Sequence, residues 1–188
     1  MAEGLNTDTG FAERGSKAYR QIILSMFIAG LCTFAQLYFL QPLLPVLSRY
    51  FAITPAHSSL VISAATLALA GGLLLGTFMA DKIQRKTLMS TAMLISSVLT
   101  IISAFVNNFG MLIFISACKG FALSGVAAIA MAYIGEEVAP AVLSRTMSRY
   151  IIGTIIGGMT GRVVANLLVA WISWQMVTLV IGLSLIHI

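Results

Sequence analysis

An all-α, polytopic membrane fold of six transmembrane helices is what this sequence predicts, and three observations carry it. The 188 residues are 59% hydrophobic and 9% charged, with a mean hydropathy of +0.99, whereas soluble domains are roughly 45–50% apolar and about 25% charged. The apolar residues fall in runs of about twenty, the length at which a helix rising about 1.5 Å per residue crosses a hydrocarbon core of roughly 30 Å. Nearly all the charge sits in the connectors, and the cations crowd into alternate ones.

Residues 1–20 (MAEGLNTDTGFAERGSKAYR) are polar and mixed in charge, which predicts a disordered cytoplasmic tail. They hold neither an apolar core nor a small-residue cleavage site, so the first span is expected to be its own insertion signal. A first helix is predicted over Gln21–Leu43, with Pro42 and Pro45 marking its outer end and 46–57 as an external loop carrying Arg49, Pro55 and His57. The second is predicted over Ser58–Ala80, after turn and cap residues at 54–59. The third covers Thr87–Val106 and stops at the uncharged turn Asn107, Asn108 and Gly110. The fourth runs from Met111 to Tyr133 and leaves into Gly135, Glu136, Glu137 and Pro140. The fifth covers Met147–Ala170, with Trp171 and Trp174 as interfacial anchors.

A sixth span starts near Met176, where about thirteen residues remain of the roughly twenty that a crossing needs. The final LSLIHI (Leu183–Ile188) matches one reading frame of a common transposase sequencing adapter. Residues 21–182 are therefore expected to form the bundle and 183–188 a non-native tail.

Eight cations (Arg14, Lys17, Arg20, Lys82, Arg85, Lys86, Arg145 and Arg149) flank the spans on one side, and Arg49 alone lies on the other. The positive-inside rule then places the amino terminus and the basic connectors in the cytoplasm. The net charge of +5 does not point to nucleic acid, because the cations are dispersed between apolar runs instead of forming one basic face. Cys32 and Cys118 lie inside apolar runs, where small packing residues are expected and not a bridge or metal site. His57 reads as a loop or cap residue, and His187 belongs to the suspect tail. No span carries paired acids, a histidine cluster or a nucleophile with a base, so no enzyme is expected.

Lys119 and Arg162 lie well inside the fourth and fifth spans, whereas all six acids (Glu3, Asp8, Glu13, Asp81, Glu136 and Glu137) lie outside spans. A cation at bilayer depth costs at least about 2.5–3.5 kcal/mol on insertion scales, so each should face the protein interior or a wet cavity. Snorkelling to the outer interface is the alternative. If both cations are internal, either another part of the protein supplies an acid or the substrate is anionic or rich in acceptors. Gln36, Tyr38 and Gln41 are the polar residues of the outer half of the first helix, available for cavity lining or for bonds between helices. Gly153, Gly157 and Gly161 recur every four residues, with Gly158 beside them, a pattern that permits close backbone approach.

The stretch Gly71–Lys86 (GGLLLGTFMADKIQRK) ends an apolar run at Asp81 and follows it with Lys82, Arg85 and Lys86. It resembles the loop between the second and third helices of major facilitator superfamily transporters, Gly-x-x-x-Asp-Arg/Lys-x-Gly-Arg-Arg/Lys, with Thr77 and Gln84 standing where the family has glycine. The resemblance implies a gate latch at Asp81, Lys82, Arg85 and Lys86; Glu136 and Glu137, by their place at the end of the fourth helix, are either partners for Arg85 or Arg145 or simply exposed loop acids. GTIIGGMTGR (Gly153–Arg162) resembles the family's antiporter signature Gly-x-x-x-Gly-Pro-x-x-Gly-Gly, with Gly158 in place of proline and Arg162 in place of the last glycine. YFLQPLLP (Tyr38–Pro45) is similar to the start of bacterial drug and sugar efflux carriers. The family's fourth-helix Arg-x-x-Gln-Gly aligns with Ser116 at its arginine and Lys119 at its glutamine, before Gly120.

Together these similarities cover about 21–182 and resemble most the amino-terminal six-helix half of twelve-helix exporters of the arabinose-efflux and drug:proton antiporter type. That implies a three-plus-three inverted repeat in a bacterial inner membrane and a secondary active transporter working by alternating access. It implies proton-coupled efflux of a small solute, with no cofactor beyond the proton gradient. The expected partners are the lipid bilayer, a small-molecule substrate and a missing carboxy-terminal half, in a full-length monomer that binds no nucleic acid. Gln36, Tyr38, Gln41, Ser116, Lys119 and Arg162 are expected along the substrate path. The rival reading is a six-span membrane protein that does not transport and acts as an assembly or receptor-like partner.

Overall fold

Long apolar segments with glycine and hydroxyl residues on one side can satisfy their backbone in lipid only as helices, and helices are what the chain forms. The computed structural model describes residue 12, residues 16–79 and residues 85–186. In order these form α1 (Lys17–Tyr38), a 3-10 turn (Gln41–Leu43), α2 (Leu44–Tyr50), α3 (Pro55–Ser58), α4 (Leu60–Met79), α5 (Arg85–Ser103), α6 (Phe109–Glu137), α7 (Pro140–Val169) and α8 (Trp174–Ile186). Five stretches are long and apolar enough to cross a membrane, and α8 adds a shorter apolar helix.

The prolines change the expected outer end of the first span. Pro42 opens the 3-10 turn and Pro45 opens α2, both at first-turn positions where a missing N–H leaves no bond unmade. The helical path thus continues from Lys17 through Tyr50, and the loop expected over 46–57 shrinks to the few residues before Pro55. Ala52 ends α2 with a φ of 52°, in the left-handed region. Local caps set the other starts. Ser16 accepts from the Tyr19 N–H, Thr54 from the His57 N–H, and Asn108 from the Gly110 and Met111 N–H groups. Pro140 sits in the first turn of α7, so that helix begins seven residues before the expected Met147 and carries Arg145 and Arg149 on its first turns.

Helix α1 starts at Lys17, inside the stretch 1–20 expected as a tail. Ala12, fully buried, forms a parallel bridge with Val138: its N–H donates to the Glu137 carbonyl at 2.8 Å, and the Ala139 N–H donates to its carbonyl at 3.4 Å. At the other end α8 runs on through Leu183 to Ile186.

Two pairs of helices pack closely, α4 with α6 and α1 with α7, while α5 lies against α6 and α8. The core is divided along the bundle. At the basic end, Tyr19, Ile23, Met26, Met89, Ile129, Ile134 and Val138 cluster. At the opposite end Phe39, Leu43, Leu47, Leu112, Trp174 and Val177 do so, and Leu37, Ala65 and Leu123 lie in a smaller cluster of their own. The outside is as apolar as the inside. Leu67, Leu74, Phe105, Phe114 and Trp171 are each at least two-thirds exposed, a surface suited to lipid or to another bundle.

Candidate functional site

The α1–α7 seam is set by glycine. A Cβ at Gly153, Gly157 or Gly161 would run into the carbonyl oxygens of Phe27, Leu31 and Ala35 respectively, and one at Gly30 would come within 3.0 Å of the Tyr150 carbonyl. Small residues every four positions therefore bring the two backbones together, as the spacing predicted. Gly158 is different: a Cβ there would stand 3.4 Å from the Tyr38 ring, an ordinary contact.

This close seam holds Arg162, next after Gly161, against the end of α1. Its guanidinium carbon lies 4.4 Å from the centroid of the Tyr38 ring, and its Nε donates to Gln41 Oε1 at 2.6 Å. Three residues singled out separately in the sequence are thereby brought together. Tyr38 contributes a cation–π face, and Gln41 fixes the guanidinium plane with a charge-assisted hydrogen bond.

Lys119 stands on the neighbouring ring, with Nζ 4.8 Å from the centroid of Phe39. It is only 2% exposed, so it is interior and not snorkelling. Ser116, one turn earlier on α6, has a buried hydroxyl without a hydrogen-bond partner among the described residues. Among those residues the only ion pair joins Arg85 to Glu136; Lys119 and Arg162 have none.

Gln36 is fully buried and bonds between helices instead of lining a cavity. Its Nε2 donates to Thr100 Oγ1 at 3.1 Å and to Ser97 Oγ at 3.5 Å, and its Oε1 accepts from Ser96 Oγ at 2.6 Å. The α5 partners were missed in the sequence. Ser96, Ser97, Thr100 and Ser103 are all buried and recur at helical spacing inside an apolar run, the signal that would have found them.

At the basic end Arg85, at the start of α5, pairs with Glu136 at the end of α6. Lys86 and Arg145 are exposed, and Glu137 is half-buried beside the Ala12 bridge. Asp81 and Lys82 lie outside the described residues. Between α1 and α7 an open groove of about 590 Å³ is lined by Tyr19, Arg20, Ile23, Leu24, Phe27, Arg149 and Ile152.

This arrangement of long apolar helices, two closely packed pairs and cations within α6 and α7 has relatives. Residues 26–187 match the Major Facilitator Superfamily. The chain belongs to that superfamily. It is 39% identical over 180 residues to the inner membrane transport protein YnfM of Escherichia coli, covering 96% of this chain and 43% of YnfM. It is 44% identical over 170 residues to a transporter of Buchnera aphidicola, covering 90% of this chain and 41% of that protein. It is also 40% identical over 172 residues to the MFS-type transporter YybF of Bacillus subtilis, covering 92% of this chain and 43% of YybF. A bacterial homologue of the human lysosomal transporter Spinster, solved in an inward-facing and occupied conformation, shares the fold with a TM-score of 0.80 at 17% identity, over 92% of this chain and 43% of that one. The chain thus spans a little over two-fifths of the length of these relatives, which fits the amino-terminal half of a major facilitator transporter.

Proposed function

We propose that this chain is the amino-terminal bundle of a secondary active transporter that moves a small solute by alternating access, as proton-coupled efflux across a bacterial inner membrane. The observation that carries the reading is the pair of cations within α7 and α6, Arg162 on Tyr38 and Lys119 on Phe39, in helices whose carboxylates, Glu136 and Glu137, stand only at the basic end of α6. Ionisable groups at bilayer depth are expensive, and they persist where they meet a substrate, an ion or a partner charge. In transporters built from repeats the site lies near the midplane, and one bundle rocks against the other around it. The Arg85–Glu136 pair supports a latch at the basic end, where Asp81 and Lys82 complete the sequence motif. The similarity to the inner membrane protein YnfM supports the membrane assigned here.

The test is solute flux through the full-length carrier in proteoliposomes with an imposed pH gradient. Export that collapses when the gradient is dissipated, and that is lost in Lys119→Ala, is the expected result. A protein that inserts fully and moves no solute under any gradient belongs instead to the non-transporting class of six-span partners. Cysteine labelling at Gln84 should report the cytoplasmic side.

A further inference from the structure

Arginine carries five N–H donors in a rigid fork. In Arg162 the Nε–H goes to Gln41 and one face of the plane is taken by Tyr38. The four N–H groups of its two amino ends have no acceptor among the described residues. Their setting is built and not accidental. Gly161 lets α7 meet the Ala35 carbonyl of α1, and that contact fixes the approach of Arg162 to Tyr38 and Gln41. The neighbours of Arg162 at helical spacings, Met159 and Asn166, are exposed, as is Val163 next to it in the chain. The free fork is therefore bordered by apolar surface and one amide.

We propose that Arg162, held by Tyr38 and Gln41, is the binding group for the carboxylate of an organic acid with an apolar body, and that such acids are the substrate class; this rests on the transport reading above. The chemistry follows from the fork. Two parallel N–H groups fit the two oxygens of a carboxylate, and the bond is stronger away from water. Gln41 and Tyr38 orient the guanidinium before the ligand arrives, so little order is lost on binding. Lys119 lies behind Phe39 and is too enclosed to reach the same ligand directly; it adds positive potential.

The experiment uses the purified full-length carrier and six probes: benzoate, hexanoate and succinate, each beside its neutral amide. Ligand-dependent rise in unfolding temperature gives Kd. A saturable rise with at least one acid and none with its amide is expected. Arg162→Lys should weaken that Kd by about tenfold or more, the equivalent of one lost charge-assisted bond. Gln41→Glu supplies an internal carboxylate to the same guanidinium, and should abolish binding while the unliganded protein unfolds no lower than wild type. Equal binding of acids and amides, no binding of any acid, or unchanged binding in Gln41→Glu overturns the proposal. If acids bind in this manner but nothing is transported, the transport reading fails and the anion site stands. If neutral solutes are carried and the acids are ignored, the anion site fails and transport stands.

Discussion

Arg162 rests on the ring of Tyr38, 4.4 Å from its centroid, and the contact joins α7 to the end of α1. Phe39, next in the chain, carries Lys119 of α6 in the same way. Two consecutive aromatic residues thus seat two cations from two other helices, at the point where α1 gives way to the turn before α2. That turn begins with Gln41 and Pro42, which explains why its amide reaches Arg162. Replacing Tyr38 by Leu keeps an apolar side chain and removes the ring. A loss of about 0.5–2 kcal/mol in full-length stability is expected from the cation–π contact, measured by thermal unfolding against wild type.

Gly157 and Gly158 make a paired prediction. Gly157→Ala drives a Cβ into the Leu31 carbonyl oxygen, and backbone cannot yield as a flexible side chain does. Overpacking of this kind costs about 1–3 kcal/mol. Gly158→Ala meets only the Tyr38 ring at 3.4 Å and should lie within about 0.5 kcal/mol of wild type, the usual range for a change that disturbs no packing. Equal unfolding temperatures for the two variants would contradict the seam.

The glycine seam and the spans were legible from spacing alone, because each is a property of one helix; interior placement and snorkelling were both open for the two cations, and the structure buries Lys119 but leaves Arg162 half-buried. Pairings between helices were not. Gln36 could have lined a cavity or bonded to another helix, and only the placement of Ser96 and Thr100 decides it. Likewise Arg85 had Glu136 and Glu137 as equal candidates, and the geometry selects Glu136. The proline signals misled for a local reason. Pro42 and Pro45 were read as stops, yet both occupy helix first turns, where proline is at home.

Gln36→Leu removes the bonds to Ser96, Ser97 and Thr100 while keeping apolar volume. Ser96 and Thr100 retain bonds to the Met93 and Ser96 carbonyls on their own helix, so the loss is limited. Hydrogen bonds between membrane helices average about 0.6 kcal/mol with a maximum near about 1.7. A destabilisation inside that range is expected from unfolding in detergent, and a change of several times that size would mean that Gln36 does more than join α1 to α5.

The Arg85–Glu136 pair should contribute little to stability. Glu136 is 59% exposed in its side chain, and solvated pairs are worth about 0.2–1 kcal/mol. In a double-mutant cycle with Arg85→Gln and Glu136→Gln, a coupling within that range is expected, falling with added salt. Its larger effect should be on transport rate, because even a small bias shifts the populations of two conformations. Rates unchanged in both single variants would leave the pair without a part in gating.

Lys119→Met separates stability from function most directly. Methionine keeps the stem packed against Phe39 and removes a cation that is 2% exposed and unpaired among the described residues. Since an interior cation costs at least about 2.5–3.5 kcal/mol on insertion scales, its removal should leave the unfolding temperature of the full-length carrier equal or higher. Transport should fall at the same time, because a costly charge with no structural partner is explained by what it does in the cycle. A variant that is less stable than wild type would show that Lys119 meets an acid from the rest of the protein. One that is more stable and transports normally would remove the lysine from the substrate path.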